Sequence, residues 1–204
     1  DYLVCVDSDG CVMDTMNCKH FHCFGPCMVT EWGLEEWKNE ILDRWNVINL
    51  FSMTRGINRF KGLAMALGEI NEKYTRITGV EALQHWADTA PALSNDGAAK
   101  AAAEATDPDA KLVLKKALSW SKAVNAAIVA LDEDLKVPYN GAKEGLAAAH
   151  EFADVAMVSS ANRDAVEEEW GKFGLLEHTD IVLAQDIGSK AACIKEMLKF
   201  GYDL

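Results

Sequence analysis

The chain opens on an unbroken apolar run, Tyr2-Leu3-Val4-Cys5-Val6, that stops at Asp7-Ser8-Asp9-Gly10. A run of that length, rich in residues that suit a pleated surface and cut off by a turn, predicts a buried parallel strand ending where two carboxylates emerge. From about residue 30 to 135 the apolar positions recur instead at helical spacing. Trp32, Trp37, Ile41 and Trp45 form one stripe, Leu63, Leu67, Ile70 and Tyr74 a second. Val113, Trp120, Val124, Ile128 and Leu131 form a third, in a long segment opened by Asp107-Pro108. These stripes read as helix-packing core. The alanine-rich stretch from Ser94 to Thr106 has few large apolar side chains and reads as a flexible or weakly packed connection.

After Pro138 the rhythm becomes short strand and amphipathic helix in alternation. The pattern predicts a helix from about Ala142 to Phe152, a strand over Asp154 to Val158 and a helix after Asn162 that stops near Gly174. A strand over Ile181 to Ala184 and a helix from about Ser189 to Phe200 complete it. Such alternation implies a parallel sheet, to which the opening strand also belongs. The expected fold is therefore α/β: a Rossmann-like parallel-sheet core from residues 1–14 and 139–204, with an all-helical domain over 15–138 inserted after the first strand as a lid above the strand ends.

Charge narrows the partners. Lys and Arg number 20 against 32 Asp and Glu, a formal charge of −12, which disfavours binding to a nucleic-acid backbone. No apolar stretch approaches a membrane span and no secretory leader opens the chain, so the expectation is a soluble, cytoplasmic protein with neither nucleic acid nor membrane as partner. The start at Asp1, without a methionine and directly before a core strand, reads as a trimmed front. Six cysteines, at 5, 11, 18, 23, 27 and 193, are expected to be reduced, since two fall in a predicted strand and helix. Cys18, His20, His22, Cys23 and Cys27 place five sulfur and nitrogen donors within ten residues. They could hold zinc, but no second ligand pair lies downstream; the plainer reading is an aromatic and thiol-rich linker packed near the pocket.

The acid pair carries the chemistry. In a turn freed by Gly10, Asp7 and Asp9 can face one pocket, where a divalent cation such as Mg²⁺ offsets their repulsion and leaves one free to attack an electrophile. A desolvated Asp9 could act as an acid and then a base. The same string also reads as a plain turn of Asp, Ser and Gly, whereas a calcium loop fits poorly because a strand precedes it and the glycine comes too early. Ser159 follows Ala156-Met157-Val158, so its hydroxyl falls at a second strand end, beside the N–H groups opening the next helix. Lys190 begins the helix after the third strand, where its ammonium can balance negative charge at the same edge. Singly, Ser159 reads as a cap or turn residue and Lys190 as a solvated helix lysine; in order, at three successive strand ends, they point to a phosphoryl site.

In these residues the chain resembles the haloacid dehalogenase (HAD) superfamily of phosphohydrolases. The D-x-D-G motif and its flap acid match Asp7-Ser8-Asp9-Gly10 and Asp14, the second motif Ser159 and the third Lys190, with the helical block where that family carries its C1-type cap. The resemblance implies that Asp7 is the nucleophile forming an aspartyl-phosphate and Asp9 the general acid and base. It implies that Mg²⁺ bridges Asp7, the phosphoryl group and the Asp9 backbone carbonyl, and that Ser159 and Lys190 hold the phosphoryl oxygens. Dehalogenating members lack an acid at the position of Asp9, so its presence favours phosphoryl transfer. The implied function is a Mg²⁺-dependent phosphatase acting on a small phosphorylated metabolite. Alternatives are a phosphomutase of the same superfamily, a non-catalytic binding protein, and a phospho-acceptor receiver, which the order of the acids disfavours.

That family continues with a fourth strand whose acids complete the metal shell, where this chain ends in Phe200-Gly201-Tyr202-Asp203-Leu204. The expectation is a core lacking its last strand, hence a fragment of an active enzyme or a piece that binds Mg²⁺ poorly; the open sheet edge favours a fragment. Asp186 could substitute for a missing acid, although Gln185 to Ser189 reads more simply as a loop. In the helical block, Arg55 in a loop and Arg59 and Lys61 at a helix start could clamp an anionic part of the substrate, or form a solvated basic face. Substrate identity and oligomeric state are not legible.

Overall fold

The stretch predicted to be a linker is continuous helix. The computed structural model describes residues 1–202, and in it the chain leaves the first strand through α1 (Met16–Lys19), a π-helical turn His20–Phe24 and α2 (Gly25–Trp32). Cys18, His20, Cys23 and Phe24 are buried there. The His20 ring stacks on Phe24 at 4.5 Å and its Nδ1 accepts the Trp45 indole N–H at 3.1 Å, so the imidazole serves as a packed acceptor for a buried Trp. Helices α3 (Lys38–Leu50), α4 (Arg59–Lys73), α5 (Val80–Thr89), α6 (Asn95–Glu104) and α7 (Pro108–Val129) complete one compact unit, Cys18–Leu131.

Most of the predicted helical stripes form its core: Ile41, Trp45, Leu63, Leu67, Ile70, Val113, Trp120 and Val124 are buried, Trp32, Trp37, Ile128 and Leu131 pack against it half-buried, and Tyr74 is exposed. Local chemistry sets the helix starts. Asn58 accepts the Phe60 N–H, Ser94 that of Gly97 and Asp107 that of Ala110, with Pro108 in the first turn of α7. Gly79 has φ +76° and meets the Asp109 carbonyl so closely that any side chain would collide with it. The alanine-rich stretch is the well-formed α6, not a loose connection. Alanine is the strongest helix former, Ser94 caps the start, and Ala98 and Ala102 are small enough to let α6 pack directly against α7. A search for large apolar side chains misses such an interface.

The other unit comprises Asp1–Asn17 and the chain from Asp132 onward. It is the expected parallel α/β arrangement: β1 (Tyr2–Val6), β2 (Ala153–Val158) and β3 (Ile181–Leu183) pair in the order β1-β2-β3, interleaved with α8 (Ala142–His150), α9 (Arg163–Lys172) and α10 (Lys190–Met197). Val4 pairs with Val155, Val6 with Met157 and Val158 with Leu183. The central strand is β2, with Val155, Ala156 and Met157 fully buried. The opening strand is less buried than its composition suggests: among the described residues β1 has one neighbour, and Tyr2 is 60% and Cys5 largely exposed. Val155 and Met157 face Leu146, Val166, Trp170 and Leu175 on one side of the sheet. Ala156 and Val158 face Leu183, Cys193 and Met197 on the other. No cysteine is bridged, and no helix among the described residues is long and apolar enough to cross a membrane.

Asp180 ties the start of β3 to β2. Its carboxylate accepts the Val155 N–H at 2.7 Å and meets His150 Nε2 at 3.1 Å. The Val155 N–H, and then His150, hold this carboxyl below its ordinary 3.8. A depressed folded pKa gives stability that is present above 3.8 and lost as pH falls through the folded value. D180A should therefore cost about 1–2 kcal/mol at neutral pH. Urea unfolding at pH 7 and pH 3 should show the gap to wild type narrowing at the lower pH.

Candidate active site

The turn after β1 is built around a buried serine. Ser8 is fully buried; its carbonyl accepts the N–H groups of Cys11, Val12 and Met13 at 2.9–3.2 Å, and its hydroxyl accepts the Trp170 indole N–H at 2.9 Å. Gly10 takes φ +74°, which lets the chain reverse while its N–H donates to the Met13 carbonyl. The loop is strapped to the returning chain, since Asp14 N donates to Val137 O and Tyr139 N to Val12 O. With Ser8 facing inward, the carboxylates on either side of it lie in a rigid frame.

Asp7 is held at both oxygens. Oδ1 accepts the Ser8 N–H at 2.8 Å, and Oδ2 lies 2.6 Å from the Lys190 Nζ. Both side chains of this ion pair are about 40% exposed. Lys190 reaches Asp7 because it is the first residue of α10, with Ser189 capping the helix by accepting the Ala192 N–H. Each Asp7 oxygen keeps a second lone pair, so a carboxylate held this way remains able to attack. The second acid is oriented separately: Asp9 Oδ1 accepts the hydroxyl of fully buried Thr15.

Ser159 emerges from β2 at the same sheet edge, since Val6 and Met157 are paired neighbours and Ser159 lies two residues beyond Met157. It is almost fully buried, its N–H donates to Leu183 O, and its Oγ accepts the Ala161 N–H at 3.1 Å. The hydroxyl proton has no acceptor among the described residues. The helix cap is Asn162, whose side chain accepts the Ala165 N–H. Four groups thus converge on one edge of one unit: a paired carboxylate, a second oriented acid, a hydroxyl and an ammonium.

Other candidates lie elsewhere or are engaged. Asp186 pairs with Arg163 Nε at 2.8 Å, which lowers its pKa and pins the β3–α10 loop to α9. Arg55 and Arg59 belong to the helical unit. Arg55 donates to Leu50 O at 3.2 Å. Arg59 donates to Ser121 Oγ and Asn125 Oδ1 and lies 5.1 Å over the Phe24 ring, joining α4 to α7. Among the described residues no three His, Cys, Asp or Glu side chains are grouped to hold a metal, the Cys18–Cys27 stretch included. Ser8, Thr15 and Trp170 escaped sequence reasoning. The position of Ser8 between two acids was a usable signal, whereas its Trp170 partner lies on a distant helix.

No family model and no curated protein matches the chain. Among solved structures it is similar to YfnB of Bacillus subtilis, described as a HAD-hydrolase and solved with bound magnesium. The identity is 10% over 91% of this chain and 64% of that one, with a TM-score of 0.39. It is also similar to a HAD-superfamily hydrolase of subfamily IA from Geobacter sulfurreducens, at 13% identity over 98% of this chain and 73% of that one, with a TM-score of 0.38. The chain thus spans just under two thirds of the length of the Bacillus protein.

The Ser8–Trp170 contact should be measurable. W170F removes a buried donor and some ring volume and should lower stability by about 2 kcal/mol. Combined with S8A in a double-mutant cycle by urea unfolding, it should show a coupling of about 1 kcal/mol. Strict additivity would mean that the indole does not support the turn.

Proposed function

We propose that this protein is a phosphatase of the HAD type, acting on a small phosphorylated metabolite with Mg²⁺ through an aspartyl-phosphate. The observation that carries the reading is the Lys190 ammonium 2.6 Å from Asp7, at a sheet edge shared with Asp9 and Ser159. A receiver would place its acceptor on a later strand, whereas here the lysine-bound carboxylate directly follows β1.

The Asp7 carboxylate attacks phosphorus, forming an Asp7 O–P bond as the ester P–O bond breaks, and the electron pair leaves on the alcohol oxygen. Asp9, oriented by Thr15, gives its proton to that oxygen and then takes one from a water. The water oxygen attacks the same phosphorus, the Asp7 O–P bond breaks, and inorganic phosphate departs with the carboxylate restored. Lys190 balances the charge on Asp7 and the phosphoryl oxygens, and Ser159 supplies a hydroxyl donor to one of them. The Asp7 carboxylate and Asp9 backbone carbonyl are hard oxygen donors, a small set that suits a cation keeping most of its shell as water and phosphate oxygen. Mg²⁺ held there supplies charge neutralisation at the phosphoryl group. In this reading the helical unit is the substrate-selecting cap; Arg59 is taken up by Ser121, Asn125 and the Phe24 face, which leaves Arg55 as its candidate anion contact.

Inorganic phosphate release from a panel of phosphomonoesters should require Mg²⁺ and stop on adding a chelator. D7N should abolish turnover, and K190A should lower kcat by about 10²–10³ with the fold intact by circular dichroism. Full activity in D7N would overturn the proposal.

A further inference from the structure

A cleft of about 290 Å³ lies within the helical unit, between the end of α2, the α4–α5 loop and the first half of α7. Its walls include the half-buried indoles of Trp32 and Trp37, the cations Arg76 and Lys116, and the hydroxyl of Thr78; Glu36 is the one acid among the described lining residues. Lys116 is fixed in place, its Nζ donating to Glu31 O at 3.0 Å and lying 5.6 Å over the Trp32 ring. Arg76 is exposed and has no ion-pair or hydrogen-bond partner among the described residues. The cleft therefore joins two flat aromatic surfaces to an uncommitted guanidinium, with a second cation already seated against one of the rings.

The chemistry of an occupant follows from this inventory. Two cations against one acid make the cleft an exception on a chain of net charge −12, so it favours an anion. The surrounding negative field disfavours multiply charged ligands, and the indoles reward an apolar ring, which together select one carboxylate on an aromatic body. The volume lies just below the usual range for drug-sized ligands and is enough for a bicyclic ring with a short acid arm. We propose that this cleft is a binding site for a small aromatic carboxylate, its ring against Trp32 and Trp37 and its carboxylate paired with Arg76 beside Lys116. The site uses none of the phosphatase groups and stands independently of that function.

Calorimetric titration of the whole protein with indole-3-acetate tests this. Saturable binding to one site is expected, with uncharged indole-3-acetamide at least about tenfold weaker, the loss typical of a charge-assisted contact. R76A should weaken indole-3-acetate by at least about tenfold at an unchanged melting temperature. K100A, which removes the same charge from an exposed i,i+4 pair elsewhere in the unit, should bind as wild type does. Equal binding of acid and amide, wild-type affinity in R76A, or no saturation by about 5 mM would overturn the proposal.

Discussion

The pairing of Val4 with Val155, across the whole helical insertion, is the contact on which the rest of the structure depends. A parallel pair cannot close through a hairpin; it needs a crossover, and here the crossover is a folded unit with its own core. Because loop-closure entropy grows only with the logarithm of length, and an insertion that folds by itself shortens the effective loop, so long a connection is tolerable. β2 supplies the attraction, since side chains on both of its faces are buried. Once Val6 lies beside Met157, the residues that follow β1 and β2 leave the sheet side by side, which brings Asp7 and Ser159 to one edge.

The turn that presents the acids is stiff for reasons unrelated to the acids. Ser8 points away from them, gives its carbonyl to three N–H groups and takes one donor from Trp170. Burying a hydroxyl and a carbonyl is tolerable only because both are satisfied, and that satisfaction holds the peptide planes carrying Asp7 and Asp9. The indole of α9 is thereby part of how the strand end is shaped, although it touches neither acid.

The helical unit solves a different problem. It packs Trp45, Trp120, Phe24 and Phe60 into a ring cluster with centroids about 6 Å apart, at the centre of its own core. Polar atoms within that cluster are matched locally: the Trp120 indole N–H donates to Phe24 O and that of Trp45 to His20. Arg59 is drawn into the same framework through Ser121, Asn125 and the Phe24 face. On a chain of net charge −12, cations are scarce, and those left uncommitted, Arg76 above all, mark where an anion gains most.

Much of the fold could be read from the chain. Strand-helix alternation after Pro138 predicted the parallel α/β arrangement because period and length are local properties, and the heavy apolar stripes marked the helical core for the same reason. Two readings failed where small or soft residues carry the structure. Within the alanine-rich stretch Asn95–Glu104 is a packed helix because alanine permits close approach, and Cys18 to Cys27 is continuous helix, its His20 ring stacked on Phe24 and bonded to the Trp45 indole and its Cys23 buried in the same core. The residue types at the strand ends, Asp7, Asp9, Ser159 and Lys190, are properties of the chain itself. The 2.6 Å approach of Lys190 to Asp7, the support of Ser8 by Trp170 and the engagement of Asp186 by Arg163 are not, since each joins residues far apart in sequence. Periodicity reports which face of an element is buried. It carries no information on which partner meets that face, and at this site the partners set the chemistry.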